Sequence, residues 1–248
     1  MISDEGLSCL AGLQELKKLT LTNTSIAGSG FKYLNTLKPL ELDLAGSPVT
    51  DDGLAHLSEL TSLGTLSLAF TDITDQGLEH LKPLQNLQRL DLAGTDVGNK
   101  GLRHVGQLTK LSALLLSYTR ISDDGVKDLA PLVELTELGL IRTRVTDECM
   151  PVVGSFHKLA DLNLDYTDVS DKGLESLSPL ADLLRLSLDS ANVTDVSAEL
   201  LSRFTKLRML NLYHTMFTPK GYQQINAALP ECKIIWDPLS ADPKRRRS

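Results

Sequence analysis

The chain has 248 residues and a net charge of −7, with 25 Lys and Arg against 32 Asp and Glu. No run of about 18 apolar residues occurs, which argues against a transmembrane helix, and the acidic balance argues against nucleic acid as a ligand. Hydrophobic residues make up 42% of the chain but aromatic residues only 4%, which is typical of a repetitive core.

Leucine returns every 24 residues through most of the chain. It stands at Leu42, Leu66, Leu90, Leu114, Leu138, Leu162, Leu186 and Leu210. A period of 20 to 29 residues is typical of a solenoid, in which each unit buries its apolar face against its neighbours. Because a solenoid grows by adding units, we predict one domain over residues 1–237 with about ten strands.

The period from Leu66 to Leu90 shows what each unit contains. Leu66 and Leu68 alternate with small polar residues, which predicts a short strand with its leucines pointing inward. Thr74 and Asp75 predict a helix start, with Thr74 as N-cap and the Asp75 charge at the positive end of that helix. Glycine recurs at the position of Gly77, where we expect a side chain to strike the neighbouring repeat.

A hydroxyl residue follows nearly every strand. These residues are Thr24, Ser47, Thr71, Thr95, Thr119, Thr143, Thr167 and Thr215, with Ala191 in the one remaining place. Buried hydroxyls need hydrogen-bond partners, and we predict that they bond to the backbone of the adjacent turn as a ladder.

The combined pattern LxLxxTx(I/V)(T/S)DxGL resembles the cysteine-containing and ribonuclease-inhibitor-like branch of the leucine-rich repeat proteins, which includes bacterial members and F-box substrate receptors. The resemblance runs from Ile2 to about Trp236. It implies an α/β fold, a right-handed horseshoe solenoid with parallel strands on its concave face and short helices on its convex face. It also implies a protein-binding scaffold and no chemistry.

The two ends and two internal repeats depart from the pattern. Residues 2–7 match the helical half of a repeat, so either a short helix caps the array or the chain is a piece of something longer. The repeats around residues 27–40 and 145–162 should have short helices, with Cys149 in a glycine position. Ile234 and Trp236 fit a last strand, with the indole covering the core. Residues 238–248, which end in PKRRRS, are predicted to be a disordered basic tail.

Cysteine usage and the N-terminus bear on the compartment. Cys9, Cys149 and Cys232 fall in different repeats, too far apart for a disulfide, so we predict three free thiols. The N-terminus lacks the basic and apolar regions of a signal peptide. Both points favour a cytoplasmic location.

No residues are predicted to be catalytic, cofactor-binding or metal-binding, and no cofactor is expected. His56, His80 and His104 share one helical position and should stack, so a transition-metal site is an alternative. A surface column of histidines is the favoured interpretation, because no further ligand can be named. The chain contains no phosphate-binding loop, paired-cysteine motif, nucleophile elbow or HExxH motif.

The outward-facing residues near each strand vary most. The first half carries small residues there, whereas the second half carries tyrosines, arginines, carboxylates and apolar groups. Tyrosine and arginine are enriched at binding hot spots. We predict a partner-binding site made of Leu115, Tyr118, Arg120, Ile141, Arg142, Arg144, Asp165, Tyr166, Asp189, Tyr213 and His214.

The leading hypothesis is a non-catalytic, monomeric adaptor that binds a protein or peptide on the concave face and adjoining rim. One alternative is the substrate-recognition part of an F-box-type ubiquitin-ligase receptor, which needs a ligase-recruiting segment outside this chain. Another is an accessory domain of a larger enzyme. Sequence upstream of this chain would distinguish the first alternative.

Overall fold

The computed structural model describes residues 2–241. One parallel sheet runs through it, with its ten strands side by side in sequence order. The strands are β1 (Lys18–Thr20), β2 (Glu41–Asp43), β3 (Thr65–Ser67), β4 (Arg89–Asp91), β5 (Ala113–Leu115), β6 (Glu137–Gly139), β7 (Asp161–Asn163), β8 (Arg185–Ser187), β9 (Met209–Asn211) and β10 (Lys233–Ile235). Each strand leucine pairs with the leucine of the next repeat, as Leu66 does with Leu90. The architecture is therefore the expected leucine-rich repeat solenoid, with strands on the concave side.

Short helices return the chain along the convex side. The α-helices are α1 (Asp51–Ala55), α2 (Asn99–Val105), α3 (Asp123–Lys127), α4 (Met150–Val153), α5 (Asp171–Glu175), α6 (Ala198–Leu201) and α7 (Pro219–Ala228). Single 3-10 segments span Asp4–Leu10, Ser29–Leu34, Gly77–Leu81, Asp147–Cys149 and Asp195–Ser197. The two repeats predicted to have short helices are not distinguished by length. Ser29–Leu34 has six residues and Asp147–Cys149 runs directly into α4, whereas α1, α3 and α5 of the regular repeats have five residues each. None of the helices between residues 2 and 241 is long and apolar enough to cross a bilayer.

The inward leucines form one continuous core. Leu66, Leu68, Leu114 and Leu116 are fully buried, as are their equivalents in neighbouring repeats. At the C-terminal end the Trp236 ring stacks on another aromatic ring at 4.5 Å, and its Nε1 donates to a backbone carbonyl at 3.0 Å. This arrangement agrees with the predicted aromatic cap. All three cysteines are free thiols, as predicted.

The helical glycines allow the repeats to approach closely. A Cβ at Gly77 would lie 2.3 Å from Asp51 Oδ1, and a Cβ at Gly173 would lie 2.3 Å from Asp147 Oδ1. The expected clash with the neighbouring repeat is confirmed at these positions. The atom that would be struck is a carboxylate oxygen, and that carboxylate has a role beyond the predicted one.

A column of seven aspartates and one asparagine bonds each of its repeats to the next, and we call it the capping column. Its members are Asp4, Asp51, Asp75, Asn99, Asp123, Asp147, Asp171 and Asp195. Asp51 lies in the first turn of its own helix, where such an acidic residue was predicted. It also accepts the backbone N–H of Thr74 at 2.8 Å and its hydroxyl at 2.6 Å. These bonds to the following repeat were not predicted, because only stacking brings the donors within reach.

The turn hydroxyls also differ from the prediction. Thr71 Oγ1 donates to the Leu68 carbonyl at 2.6 Å, three residues earlier in its own turn, and the equivalent threonines do the same. Ser47 does reach the adjacent turn and donates to the Leu21 carbonyl at 2.8 Å. Thr24 Oγ1 also lies 3.0 Å from Ser47 Oγ, so the predicted contact between adjacent turns is present at this first pair. From Thr71 onward the predicted ladder is wrong, because each turn brings one of its own carbonyls within reach of its threonine.

The C-terminal boundary lies later than predicted. Ser240 is buried, and its Oγ accepts the backbone N–H of His214 at 3.1 Å. Residues 238–241 therefore fold back onto the last repeat instead of opening a disordered tail. The remainder of the predicted tail, residues 242–248, lies outside the described residues.

Candidate partner-binding rim

Nine equivalent residues form an edge where each strand turns away from the concave face, and we call this edge the rim. They are Asn23, Gly46, Phe70, Gly94, Tyr118, Arg142, Tyr166, Ser190 and His214. All nine have a left-handed backbone, with φ between 52° and 69°. Such a conformation is ordinary for glycine but costs other residues roughly 1–2 kcal/mol.

The fold itself imposes this backbone. Eight of the nine rim N–H groups continue the parallel ladder by donating to a carbonyl of the next repeat, as Tyr118 N does to the Ile141 carbonyl at 2.7 Å, whereas His214 N donates to Ser240 Oγ. Gly46 and Gly94 adopt the conformation without strain, while the seven other rim residues carry a side chain in spite of it. Strained backbone of this kind is found preferentially where a side chain is needed for function.

Three rim residues form a stack. The Arg142 guanidinium lies over the rings of Tyr118 and Tyr166, at 5.8 and 4.6 Å from their centroids. Both tyrosines remain exposed, at 51% and 42%. Arg142 is exposed, and within residues 2–241 no carboxylate forms an ion pair with it.

The other predicted residues of this region are placed less uniformly. Leu115 and Ile141 are half-buried on the concave face beside the stack. Arg120 already pairs with Asp96 at 2.7 Å, both being exposed. Arg144 is exposed and forms no ion pair with any residue that the structure describes.

Two acidic residues of the predicted site, Asp165 and Asp189, form hydrogen bonds within the protein. Asp189 Oδ1 lies 3.1 Å from His214 Nδ1, and the His214 ring packs against Tyr213 at 3.9 Å. The backbone N–H of Asp189 donates to Asp165 Oδ1 at 2.7 Å. Burial raises the pKa of Asp165, in spite of this bond and one from Ser187. Asp165, Asp189, Tyr213 and His214 therefore form one connected group next to the Tyr118–Arg142–Tyr166 stack.

The first half of the surface is less plain than predicted. Phe70 occupies a rim position and is 64% exposed, more than either stack tyrosine. Its ring lies over Gly94, where an added Cβ would be 2.4 Å from Phe70 Cδ1. The sequence does place Phe70 at a rim position. It was not predicted as a site residue because the first half of the surface consists otherwise of small residues.

Charged residues on the concave face also pair across the sheet. Arg89 Nη1 bonds Glu137 Oε2 and Arg89 Nη2 lies 3.3 Å from Glu137 Oε1, which spans the intervening β5. Burial raises the pKa of nearby Asp91. This contact was missed because its partners are 48 residues apart in the sequence.

The histidine column was the alternative for a metal site. His80 is half-buried and lies 3.9 Å from the carboxylate of Glu79. Over residues 2–241 no three His, Cys, Asp or Glu side chains are grouped so as to hold a metal ion.

Comparisons with known proteins agree with this architecture. A protein-family model described as a leucine-rich repeat matches residues 59–82, 84–104, 107–130 and 157–178 of the sequence. No curated protein matches the chain. Among solved structures, the chain is similar to internalin C2 from Listeria monocytogenes, with 25% identity, a TM-score of 0.65 and coverage of 84% of this chain and 83% of that one. The matched repeats, the parallel sheet and this shared fold together show that the chain contains leucine-rich repeats and has the fold of a leucine-rich repeat solenoid.

Proposed function

We propose that the chain is a non-catalytic scaffold that binds a protein or peptide partner on its concave face and adjoining rim. Leucine-rich repeat solenoids generally serve as protein-interaction scaffolds, because stacked repeats present an extended curved surface. This surface offers a specific group of exposed residues for such binding.

The Tyr118–Arg142–Tyr166 stack carries the proposal. Tyrosine and arginine dominate binding hot spots because they offer a large contact area and directed donors. Here the stack orders the arginine before any partner arrives, so little side-chain entropy is lost on binding. The left-handed backbone supports the same conclusion, since it favours glycine and the protein nevertheless presents these side chains.

The size of the surface fits a protein interface. From Tyr118 to His214 the rim crosses five strand positions, which is about 19 Å at the usual strand spacing. With Leu115 and Ile141 beside it, this surface would supply a substantial part of the roughly 800 Å² that each partner buries in a standard interface.

A capture experiment tests the proposal. The purified chain and its Tyr118→Ala/Arg142→Ala variant are immobilised, and bound proteins are quantified by mass spectrometry. We expect at least one specifically bound protein to lose about 2 kcal/mol of binding free energy in the variant, as hot-spot truncations do.

The matched control is Thr20→Ala/Ser67→Ala, which changes two outward residues of β1 and β3. It should leave capture unchanged, and thermal unfolding should show all three proteins folded. Equal losses from both double variants, or no loss from the first, would place binding elsewhere.

A further inference from the structure

Aromatic rings occupy every second place on the rim over seven consecutive repeats. Phe70, Tyr118, Tyr166 and His214 are separated by 48 residues each, and the places between them hold Gly94, Arg142 and Ser190. All seven share the same left-handed backbone. The side chains therefore project from equivalent points, and the alternation in sequence becomes an alternation in space.

The spacing of these rings selects a ligand geometry. Adjacent strands lie about 4.8 Å apart, so rim positions on alternate repeats are about 9.6 Å apart. A polyproline II helix rises about 3.1 Å per residue with three residues per turn, which gives a pitch of about 9.3 Å. Residues one turn apart on such a helix would stay in register with alternate rim positions over six residues.

The three intervals between the rings differ in chemistry. The two outer intervals are centred on Gly94 and Ser190, which have no bulky side chain. The exposed Phe70 ring lies over Gly94 and offers an apolar face there, and Ser190 stands between the places of Tyr166 and His214. Proline packs in such places, as in the aromatic-lined grooves that bind proline-rich segments. The central interval is filled by the exposed Arg142, whose guanidinium lies 5.8 and 4.6 Å from the ring centroids of Tyr118 and Tyr166.

Charge and shape around the rim fit the same occupant. The Arg142 edge has the geometry to bind a carboxylate through two parallel hydrogen bonds. On the concave side of the first rings the floor consists of small residues, with Ala69 and Ser117 exposed at only 6% and 8%. A peptide backbone can therefore lie close to the sheet there without meeting a side chain.

We propose that the rim binds a proline-rich polyproline II segment of a partner protein with an acidic residue at its centre, of the form Pro-x-x-Asp/Glu-x-x-Pro. The acidic side chain meets Arg142, one proline packs on the exposed Phe70 ring over Gly94, and the other proline lies in the interval at Ser190. This inference rests on the proposed function and specifies the chemistry of the partner.

Fluorescence anisotropy with a labelled peptide containing Pro-Ala-Pro-Asp-Pro-Ala-Pro tests the inference. We expect saturable binding, weakened by about tenfold or more when lysine replaces the aspartate of the peptide. Tyr118→Ala and Tyr166→Ala should each weaken binding by about tenfold. Arg142→Glu should reverse the preference, so that the lysine peptide binds more tightly than the aspartate peptide.

Matched controls come from the convex side. Tyr33→Ala removes a tyrosine that also lies beside a cation, and Arg203→Gln removes an exposed arginine that pairs with Glu199. Neither should change peptide binding. Circular dichroism and thermal unfolding of each variant would show that a loss of binding is not a loss of fold.

Several outcomes would overturn the inference. These are no binding to the unaltered protein, equal affinity for the two peptides, equal losses in the convex controls, or binding of a β-1,4-glucan hexasaccharide in place of the peptide. Capture of a protein that depends on Tyr118 and Arg142 without peptide binding would reject this inference alone. Loss of both would reject the proposed function as well.

Discussion

The capping column and the rim both repeat every 24 residues, but they vary in opposite ways. In the capping column the side chain is nearly constant, and its oxygens bond the first turn of the next repeat, as Asp123 does with Thr146 at 2.8 and 2.9 Å. On the rim the backbone is constant while the side chain changes from glycine to phenylalanine, tyrosine, arginine or histidine. One column holds the repeats together, and the other is free to determine what binds.

The same contrast appears in the carboxylates. Asp123 is partly buried, which raises its pKa, but hydrogen bonds from Thr146 and Cys149 outweigh burial and lower it overall. On the concave face burial prevails, and the pKa values of Asp91 and Asp165 are raised. Asp123 in the capping column is thus stabilised as an anion, whereas the anionic forms of Asp91 and Asp165 on the concave face are disfavoured by burial.

The largest expected effect comes from the core that both columns share. Leu116→Ala should lower the free energy of unfolding by about 2–5 kcal/mol through lost burial and a cavity. Denaturant unfolding measures this loss. His80→Ala, at a half-buried convex position, should stay within about 0.5 kcal/mol of the unaltered protein. A loss below about 1 kcal/mol for Leu116→Ala would contradict its place in the core.

Removing one capping carboxylate should cost less. Asp171 accepts the backbone N–H of Thr194 at 2.9 Å, its hydroxyl at 2.7 Å and the Ser197 hydroxyl at 2.5 Å. Asp171→Ala leaves these donors unsatisfied and should cost about 1–3 kcal/mol in urea unfolding.

Asparagine is the informative companion substitution, because Asn99 fills this place naturally. Asn99 accepts the N–H of Ser122 through Oδ1 and bonds its hydroxyl through Nδ2, both at 2.9 Å. Asp171→Asn should therefore be less harmful than Asp171→Ala. Equal losses would mean that the bonds to the next repeat contribute little.

Acidic pH should change the stabilising contributions of Asp123 and Asp165 in opposite directions. Because the folded pKa of Asp123 is lowered, its stabilisation is present above the unfolded pKa of about 4 and is lost as pH falls through the folded value. The raised pKa of Asp165 has the opposite sign, since its contribution is present below the unfolded pKa and is lost as pH rises through the folded value. Asp123→Asn should flatten the fall of the urea midpoint at acidic pH, and Asp165→Asn should steepen it. Identical pH profiles for the two variants would contradict the contrast.

The smallest stability effect is expected on the rim. Tyr118→Gly relieves a left-handed backbone worth roughly 1–2 kcal/mol, but it adds freedom to the unfolded chain and loses contacts with Arg142. We expect a net change within about 1 kcal/mol, measured by thermal unfolding. A larger loss would show that the stack supports the fold and is not reserved for binding.

Most of the fold could be predicted from the sequence, because the residues that determine it act locally or recur with the same 24-residue period. Leu66 and Leu68 indicated an inward strand, and Gly77 indicated close stacking. The capping role of Asp75 did not follow, because its partners, Gly98 and Gly101, belong to the next repeat and are reached only after stacking. The 24-residue spacing identified which residues lie on the rim, but the left-handed backbone of these residues was not predicted from the sequence.

The sequence by itself determined the period, the register of the strands and the buried leucines, since hydrophobic periodicity fixes which side of each unit is inside. Tertiary structure alone decided what the remaining polar groups do. It placed the Arg142 guanidinium between two tyrosine rings, turned Phe70 across Gly94 and joined Asp189 to His214. These contacts link residues about one repeat apart, and their geometry depends on how one turn is set against the next.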